Sequence, residues 1–356
     1  MQAVLKKTPA PGAVCEDIPV AAPKQGEVLI EIKSAAICGT DIHLYHWDSS
    51  AASFTEKFKV DFPLTLGHEI SGVITELGPG VTDRKVGDRV SVETHIPCGR
   101  CYQCGIGNSY NCASMGLYGI TYNGAFAEYA LAPSSLTYVL SDTVSFEEGA
   151  LFEPAGVAVR AVGEAGITAG DTVVVYGCGP IGLIAAQTSL ACGAARVISI
   201  DINPYRLNMA KKTGAVTIDA REGNVAARVL ELTQTHGGAD AVLEMTGAGE
   251  VYASIFDMIR LEGKLVTVGH PAGEVSINIT RDFNQKGISI KGIFGRKIWS
   301  TWYELNSLVE SGKIDLSSVI THRFPYSEFD KAFAATSGDA GKVMLYPDNN
   351  RETAVK

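Results

Sequence analysis

The sequence predicts an α/β fold in which a β-rich domain comes first and a doubly wound parallel sheet comes second. The first half contains GEVLIEIKSAAI, HEISGVITELG and GDRVSVET, which alternate or stay apolar over strand lengths and end in turn residues. Near residue 170 the pattern changes to DTVVVYG, a solidly apolar run typical of a strand buried on both faces. Later strand-length runs alternate with helical stretches, which indicates parallel strands joined by crossover helices.

The length of the chain, 356 residues, favours two domains over one core of ordinary size. We place the β-rich domain over residues 1–157 and the α/β domain over 158–294. Within 295–356, WSTWYELNSLVESGKI and SEFDKAFAATSG have helical patterns, and KVMLY has the pattern of a final strand. We expect this last segment to return to the first domain; a third small unit would fit the same pattern.

Composition and charge restrict the partners. Hydrophobic residues make up 46% of the chain and charged residues 19%, as in globular domains, and the net charge is −9. Nucleic acid requires a basic face for its phosphates, so the acidic balance argues against that partner. The sequence shows neither a signal-peptide pattern nor an apolar run of the roughly 20 residues that span a bilayer, so we expect a cytoplasmic protein with no membrane partner.

The stretch VVVYGCGPIG indicates a dinucleotide-binding turn. Gly177 permits the tight turn, Gly179 lets the backbone approach a pyrophosphate, and Gly182 lets helix pack on strand. The pyrophosphate would lie at the helix N-terminus. Asp201 ends the next strand, RVISIDI, where its carboxylate would bind ribose hydroxyls and repel a 2′-phosphate, so we predict NAD rather than NADP. Arg206 argues the other way, because a nearby arginine can accommodate the 2′-phosphate of NADP; we interpret it as a neighbour of the adenine or ribose. The alternative is a glycine turn that binds no ligand.

A cysteine cluster predicts a structural metal site. Cys98, Cys101, Cys104 and Cys112 have the spacing C-x2-C-x2-C-x7-C in a Gly-rich loop. Four thiolates can close a tetrahedron around zinc and leave no open position, as in structural sites. An iron–sulfur cluster also takes four cysteines but with different spacing, and residues three apart in a turn seldom reach disulfide geometry.

A second metal site is predicted from residues that lie far apart in the sequence. Cys38 in ICGTDIH cannot join the closed cluster, while LGHEISG carries His68 and Glu69, and LFEP carries Glu153. One thiolate, one imidazole and one carboxylate leave a fourth position open, which is the form of catalytic zinc. The alternatives are that His68 and Glu69 form a satisfied polar pair in a core and that Cys38 is a covalent nucleophile.

Zinc and NAD together predict oxidation of an alcohol. The metal would lower the pKa of the hydroxyl and NAD would accept hydride. Thr40 could take the proton and His43 could pass it outward, because imidazole titrates near neutrality. Asp41 could orient His68 by accepting its other N–H. A non-catalytic nucleotide-binding sensor is the alternative from another class, and the presence of Cys38, His68 and Thr40 argues against it.

CGTDIH, GHEISG, the CGRCYQC lobe, the Glu-Pro pair at 153–154 and GCGPIG together resemble the zinc-dependent medium-chain alcohol and polyol dehydrogenases over essentially the whole chain. The resemblance implies a GroES-like catalytic domain and a Rossmann domain, with two zinc ions per chain. It implies catalytic zinc on Cys38, His68 and a glutamate, for which Glu69 ranks slightly ahead of Glu153. It also implies a proton relay through Thr40 and His43.

CGTDIHLYHWD, SVETHIPCGRC and the stretch from GIFGRKIW to THRF are most similar to the branch of this family that oxidises L-threonine to 2-amino-3-oxobutanoate with NAD. The resemblance implies a homotetramer and a small-molecule alcohol substrate. The implied cofactor contacts are Gly177, Gly179, Pro180, Ile181, Gly182, Asp201, Arg206, Val268, Gly269, His270, Ile293 and Phe294. The stretch EPAGVAVRAV departs from that branch at Val157 and Arg160, which keeps a polyol, a cyclitol or another amino alcohol open as the substrate.

Overall fold

The computed structural model describes residues 1–349. Its contacts divide the chain into two compact units: the first holds Met1–Pro154, Lys297–Trp302 and the described residues from Ile320 on, and the second holds Ala155–Arg296 and Tyr303–Val319. The sequence-based borders follow residues 157 and 294, and they assign all of 295–356 to the first domain. The structure differs at 303–319, because the side-chain amide of Gln187 pairs with the backbone of Asp315 within the second unit.

Strands form the sheets of the first unit and the centre of the second. In chain order they are β1 (Gln2–Lys6), β2 (Val14–Asp17), β3 (Glu27–Ala36), β4 (Leu64–Thr65), β5 (Glu69–Leu77), β6 (Arg89–Val92), β7 (His95–Ile96), β8 (Gly116–Leu117), β9 (Tyr129–Pro133), β10 (Thr137–Val139), β11 (Thr172–Tyr176), β12 (Arg196–Asp201), β13 (Val216–Asp219), β14 (Ala239–Glu244), β15 (Ile259–Thr267), β16 (Ser289–Gly292), β17 (Ile320–Pro325) and β18 (Lys342–Tyr346).

The helices are α1 (Gly39–His46), α2 (Ser49–Phe58), α3 (Tyr102–Gly105), α4 (Phe146–Ala165), α5 (Pro180–Ala191), α6 (Pro204–Lys212), α7 (Val225–Leu232), α8 (Tyr252–Met258), α9 (Ser300–Glu310) and α10 (Phe329–Ala335). A π-helical turn covers Ile279–Asn284, and 3-10 turns cover Ser109–Asn111, Ser134–Leu136, Gly249–Val251, Ser317–Val319 and Tyr326–Glu328. Across residues 1–349, every helix falls short of the length and apolar character that a bilayer crossing needs.

The first unit is built on a seven-stranded sheet of order β10-β6-β5-β3-β18-β17, with β9 also paired to β3. A smaller sheet of order β2-β1-β4 and the pair β7-β8 complete its strands. The final strand β18 runs antiparallel to β3, with Met344 opposite Ala36, and β3 in turn places Ala36 opposite Glu69 of β5. Strand β18 therefore lies in the same sheet as β3, which precedes Cys38, and β5, which follows His68.

The second unit contains a six-stranded parallel sheet of order β13-β12-β11-β14-β15-β16. This is the order of a doubly wound sheet whose first strand is β11, so the predicted α/β class is confirmed. Every residue of β11 is buried, as its unbroken apolar run predicted. In such sheets ligands bind beyond the carboxyl ends of the strands, where the direction of strand order reverses, and here that point lies between β11 and β14.

Candidate active site

Cys38 lies immediately before α1, in extended backbone with φ −91° and ψ 159°. The carboxylate of Asp41 in the first turn accepts a hydrogen bond from the Cys38 N–H at 3.0 Å and another from the Gly67 N–H at 3.2 Å. One buried carboxylate thus holds together two backbone segments that are remote in sequence. Because Gly67 directly precedes His68, these two hydrogen bonds place the Cys38 thiol and the His68 imidazole side by side.

The ligand atoms of Cys38, His68 and Glu69 all lie within 4.8 Å of one another. The donor set of one thiol, one imidazole and one carboxylate fits zinc with an open coordination position. Burial lowers the pKa of His68, but the negative charges of Asp41 and Cys38 outweigh burial and raise that pKa well above its usual value. These surroundings favour a cation at the cluster.

Asp41 lies farther from the imidazole than the sequence suggests. Its carboxylate is 3.7 Å from Nδ1 of His68, which is beyond hydrogen-bond distance. Nδ1 is buried and has no hydrogen-bond partner within residues 1–349. Asp41 therefore positions the backbone on either side of His68 and acts on the ring through its charge.

Two further side chains surround the cluster. Lys342 donates to both carboxylate oxygens of Glu69, at 2.6 and 2.9 Å, and to the carbonyl oxygen of Ile37 at 3.2 Å. Burial lowers the pKa of Lys342, but the Glu69 carboxylate outweighs this and raises it, so the ammonium stays charged. Glu153 lies outside the three-residue cluster, and its carboxylate accepts a 2.6 Å hydrogen bond from Thr94. Sequence reasoning missed Lys342, whose position before the apolar run VMLY has the appearance of a strand end.

Thr40 and His43 lie on α1, three residues apart and therefore on one face of the helix. The Thr40 hydroxyl is 3.9 Å from the Cys38 sulfur. The imidazole of His43 is half exposed, and its Nδ1 lies 2.6 Å from a carboxylate oxygen of Asp48. The other Asp48 oxygen caps α2 by accepting the Ala51 N–H at 3.0 Å. The arrangement leads from the buried cluster to solvent, and sequence reasoning did not assign Asp48.

The segment after β6 adds a buried polar network that sequence reasoning also missed. The carboxylate of Glu93 contacts Nδ1 of His95 at 2.8 Å and accepts the indole N–H of Trp302 at 2.6 Å. Thr94, between them in sequence, donates to Glu153. Trp302 is fully buried, which fits a role in packing.

The four cysteines of the lobe converge as their spacing predicted. The ligand atoms of Cys98, Cys101, Cys104 and Cys112 lie within 4.8 Å of one another. The sulfur of Cys101 is 3.6 Å from that of Cys104 and 3.8 Å from that of Cys112, well beyond the roughly 2 Å of a disulfide bond. Backbone N–H groups of Cys104 and Ala113 lower the pKa of Cys101 to about 6 and so stabilise its thiolate. Four sulfurs at these distances fit a closed zinc site.

The glycine turn of the second unit shows why glycine occupies each position. Gly177 has φ 107°, in the left-handed region, and a Cβ there would lie 2.9 Å from Thr246. A Cβ on Gly182 would lie 1.8 Å from the carbonyl oxygen of Gly177, so close packing of α5 on β11 requires glycine. Gly179 caps α5 and has open space where a Cβ would lie. The turn therefore leaves room at a helix N-terminus for a pyrophosphate.

The remaining predicted cofactor residues lie in segments that follow parallel strands. Asp201 ends β12, and its carboxylate accepts the N–H groups of Cys178 at 2.6 Å and Asn203 at 2.8 Å. Residues 268–270 follow β15, and residues 293–294 follow β16. The rings of His270 and Phe294 meet edge to face at 6.1 Å. Pro180 and Ile181 start α5, and Arg206 lies in the first turn of α6. All these segments follow the carboxyl ends of β11, β12, β15 and β16.

Fold and site define a class of protein. Residues 24–142 match the model of the alcohol dehydrogenase GroES-like domain, and residues 180–311 match that of the zinc-binding dehydrogenase domain. The chain belongs to the zinc-dependent medium-chain alcohol dehydrogenases, a family of enzymes that bind zinc and a nicotinamide dinucleotide, as its motifs predicted.

Within this family the chain is similar to L-threonine 3-dehydrogenase of Bacillus subtilis, with 40% identity over 348 residues that cover 98% of this chain and 99% of that protein. Among solved structures, 2R,3R-butanediol dehydrogenase from Bacillus subtilis has a TM-score of 0.87 at 29% identity and covers 98% of this chain and 99% of its own. Galactitol-1-phosphate dehydrogenase from Escherichia coli has a TM-score of 0.87 at 27% identity, with 98% and 100% covered.

Proposed function

We propose that this enzyme oxidises the 3-hydroxyl of L-threonine, with zinc and NAD, to 2-amino-3-oxobutanoate. The observation that carries the chemistry is the convergence of Cys38, His68 and Glu69 next to the helix that bears Thr40 and His43. The choice of substrate is supported by the full-length similarity to L-threonine 3-dehydrogenase of Bacillus subtilis.

Cys38, His68 and Glu69 would hold the catalytic zinc. When bound, zinc supplies a Lewis acid that lowers the pKa of the substrate hydroxyl. Glu69 is our first choice of carboxylate because its oxygen belongs to the three-atom cluster, and Glu153 is the alternative. Lys342 offsets the charge of Glu69, so the cluster presents less negative charge to a bound cation than its residue types suggest.

The proton of the alcohol would leave along α1. The hydroxyl of Thr40 can accept a proton and donate its own, and His43 can carry the proton to solvent because its ring is half exposed. Asp48 engages Nδ1 of His43, which directs Nε2 to the relay. Each transfer uses a group that is both donor and acceptor, so the path needs no buried charge.

NAD would bind at the glycine turn, where it supplies the hydride acceptor. The position of the Asp201 carboxylate is set by two backbone N–H groups, and its charge disfavours the 2′-phosphate of NADP. We interpret Arg206 as a neighbour of the adenine or ribose. The proposed contacts also include Gly177, Gly179, Pro180, Ile181, Gly182, Val268, Gly269, His270, Ile293 and Phe294.

The second zinc of each chain would be structural and held by the cysteine lobe. The family resemblance supports a homotetramer, and light scattering on the purified protein tests the assembly. The absence of a signal-peptide pattern supports a cytoplasmic location.

A substrate screen tests the proposed function. NADH formation is followed with L-threonine, sorbitol, inositols and 2,3-butanediol, before and after removal of zinc by chelation. We expect the highest kcat/KM with L-threonine and loss of activity on chelation. The diol is included because 2R,3R-butanediol dehydrogenase has a similar structure.

The other outcomes of the screen are equally informative. A higher kcat/KM for a polyol or for 2,3-butanediol would rule out L-threonine as the preferred substrate but would still support zinc-dependent alcohol oxidation with NAD. If the zinc-loaded protein bound NADH but reduced NAD with none of these alcohols, the nucleotide-binding sensor would be the better reading.

A further inference from the structure

Arg160 in α4 is a buried arginine whose side chain binds the loop after β16. Only 4% of the residue is exposed. Its Nη1 donates to the carbonyl oxygen of Phe294 at 2.7 Å and lies 3.4 Å from that of Gly295. Both contacts come from one nitrogen of the guanidinium, so a single charged donor engages two successive peptide carbonyls of the loop.

The arginine is itself held in place. Its Nε lies 3.7 Å from a carboxylate oxygen of Glu164, one helical turn further along α4. The other Glu164 oxygen lies 3.9 Å from Nζ of Lys291, in the strand that leads into the loop. Alternating charges therefore connect α4 with β16, the strand that leads into the loop.

A second contact joins the same helix to the same loop. A Cβ on Gly156, one turn before Arg160, would lie 2.9 Å from Cδ of Arg296. Gly156 and Arg160 are four residues apart and share one helix face. The loop thus lies against α4 at two successive turns, one by close packing and one by hydrogen bonds.

The loop carries Ile293 and Phe294, which we propose as cofactor contacts. Phe294 is 37% exposed and its ring meets that of His270, another proposed contact. The carbonyl that Arg160 binds belongs to Phe294 itself. We propose that Arg160 is a positioning residue for the dinucleotide: it sets the backbone of Phe294 and thereby the affinity for NAD and NADH.

This assignment rests on the proposed function and changes the interpretation of EPAGVAVRAV. From the sequence, the departure at Arg160 bears on the choice of alcohol. In the structure Arg160 contacts the loop of the second unit that bears Ile293 and Phe294, so its consequence concerns the cofactor. Without the guanidinium, the carbonyl groups of Phe294 and Gly295 would lose a charged donor and the loop would sample other conformations.

The test compares Arg160→Met and Arg160→Lys with the wild type in the zinc-loaded, full-length enzyme. We expect Arg160→Met to raise the Kd for NADH roughly tenfold, the effect of losing one hydrogen bond to a charged group. The KM for NAD should rise with it while the KM for the alcohol stays unchanged. Arg160→Lys should recover part of the affinity because it keeps one charged donor. Arg323→Met, which removes an arginine paired with Glu147 in the first unit, is the matched control and should leave the Kd unchanged.

A double-mutant cycle separates positioning from general stability. In the Phe294→Ala background, Arg160→Met should change the Kd for NADH much less than in the wild type, because the side chain it positions is gone. Equal effects in both backgrounds, or an unchanged Kd in a folded Arg160→Met variant, would overturn the proposal. If Arg160→Met does not fold, the Kd for NADH is measured in Arg160→Lys and Glu164→Gln instead. A wild-type Kd in both variants would contradict the proposal. Failure of the wild type to bind any nicotinamide dinucleotide would instead count against the proposed function.

Discussion

Lys342 and Glu69 form a buried ion pair in which the ammonium contacts both carboxylate oxygens, at 2.6 and 2.9 Å. The same ammonium binds the carbonyl oxygen of Ile37, the residue before Cys38. One lysine therefore connects the carboxylate of the candidate metal cluster to the segment that presents its thiol. Both partners are almost fully buried, so each depends on the other for charge compensation.

Removal of Lys342 should be far more costly than removal of an exposed lysine. Lys342→Met leaves the Glu69 carboxylate buried and unpaired, and we expect the free energy of unfolding of the metal-free protein to fall by about 3–5 kcal/mol. Denaturant unfolding measures this. Lys331→Met, which breaks an exposed pair with Glu328, should change it by less than about 1 kcal/mol. The double variant Lys342→Met with Glu69→Gln should recover much of the loss; no recovery would show that the ion pair is not the cause.

Cys38 is expected to be a metal ligand. Cys38→Ser should reduce the metal content to about one zinc per chain, because the cysteine lobe keeps its own ion, and should abolish NAD reduction. Metal analysis of the purified protein measures the first effect. Cys192→Ser, at an exposed position, is the control and should retain full metal and activity. Full zinc occupancy in an inactive Cys38→Ser enzyme would support the covalent nucleophile instead.

Asp48 should control the tautomer of His43. Asp48→Asn keeps a side chain that caps α2 but removes the charge that holds the imidazole N–H, so stability should be preserved. We expect kcat to fall roughly tenfold with no change in the KM for NAD, since only proton transfer is affected. Nitrogen NMR of the imidazole in the metal-free protein should show the Nδ1-protonated tautomer in the wild type and its loss in the variant, because the amide NH2 would then face Nδ1. An unchanged kcat together with an unchanged tautomer would remove Asp48 from the relay.

Lys6 should make stability depend on alkaline pH. Its ammonium is buried, binds the carbonyl oxygens of Ala10 and Gly12, and lies 5.3 Å from the centre of the Trp47 ring. Burial lowers the pKa of Lys6 from 10.5 to about 8. Between these values the unfolded chain binds more protons than the folded one, so the contribution of Lys6 to stability increases as pH rises from about 8 to 10.5.

The difference in unfolding free energy between the wild type and Lys6→Met isolates this contribution. It should shift in favour of the wild type across that pH window and level off above it. Lys7→Met, at the exposed neighbouring position, is the control and should change the unfolding free energy by less than about 1 kcal/mol. A constant difference for Lys6→Met would mean that its pKa is the same in the folded and unfolded states.

Asp201 should determine the preference between the two dinucleotides. Asp201→Ala removes the charge that repels a 2′-phosphate, so the ratio of kcat/KM for NADP to that for NAD should rise. Affinity for NAD should also fall, because the carboxylate no longer accepts the Cys178 N–H in the glycine turn. Asp219→Ala, at the corresponding end of the neighbouring strand β13, serves as the control. A ratio that stays constant in Asp201→Ala would place cofactor choice with other residues, Arg206 foremost.

Local patterns were sufficient to predict much of this protein. The unbroken apolar run of β11 follows from a strand buried on both faces, and the glycines after it follow from the turn geometry and close packing at Gly177 and Gly182. The four cysteines of the lobe lie within one short loop, so their spacing alone brings the sulfurs together. In each case the residues that interact are close in sequence, and the physical constraint acts within one or two elements.

The polar surroundings of the cluster were decided by tertiary structure. Lys342 meets Glu69 because β18 and β5 both pair with β3, with Ala36 opposite Met344 on one side and opposite Glu69 on the other. Trp302 of α9 donates to Glu93, 209 positions earlier in the sequence, through packing of the helix. Such partners are selected by strand register and by packing between distant segments, and local sequence patterns predict neither. The sequence by itself therefore determined the class of enzyme. The tertiary structure decided which buried charges compensate one another, because that compensation depends on three-dimensional proximity.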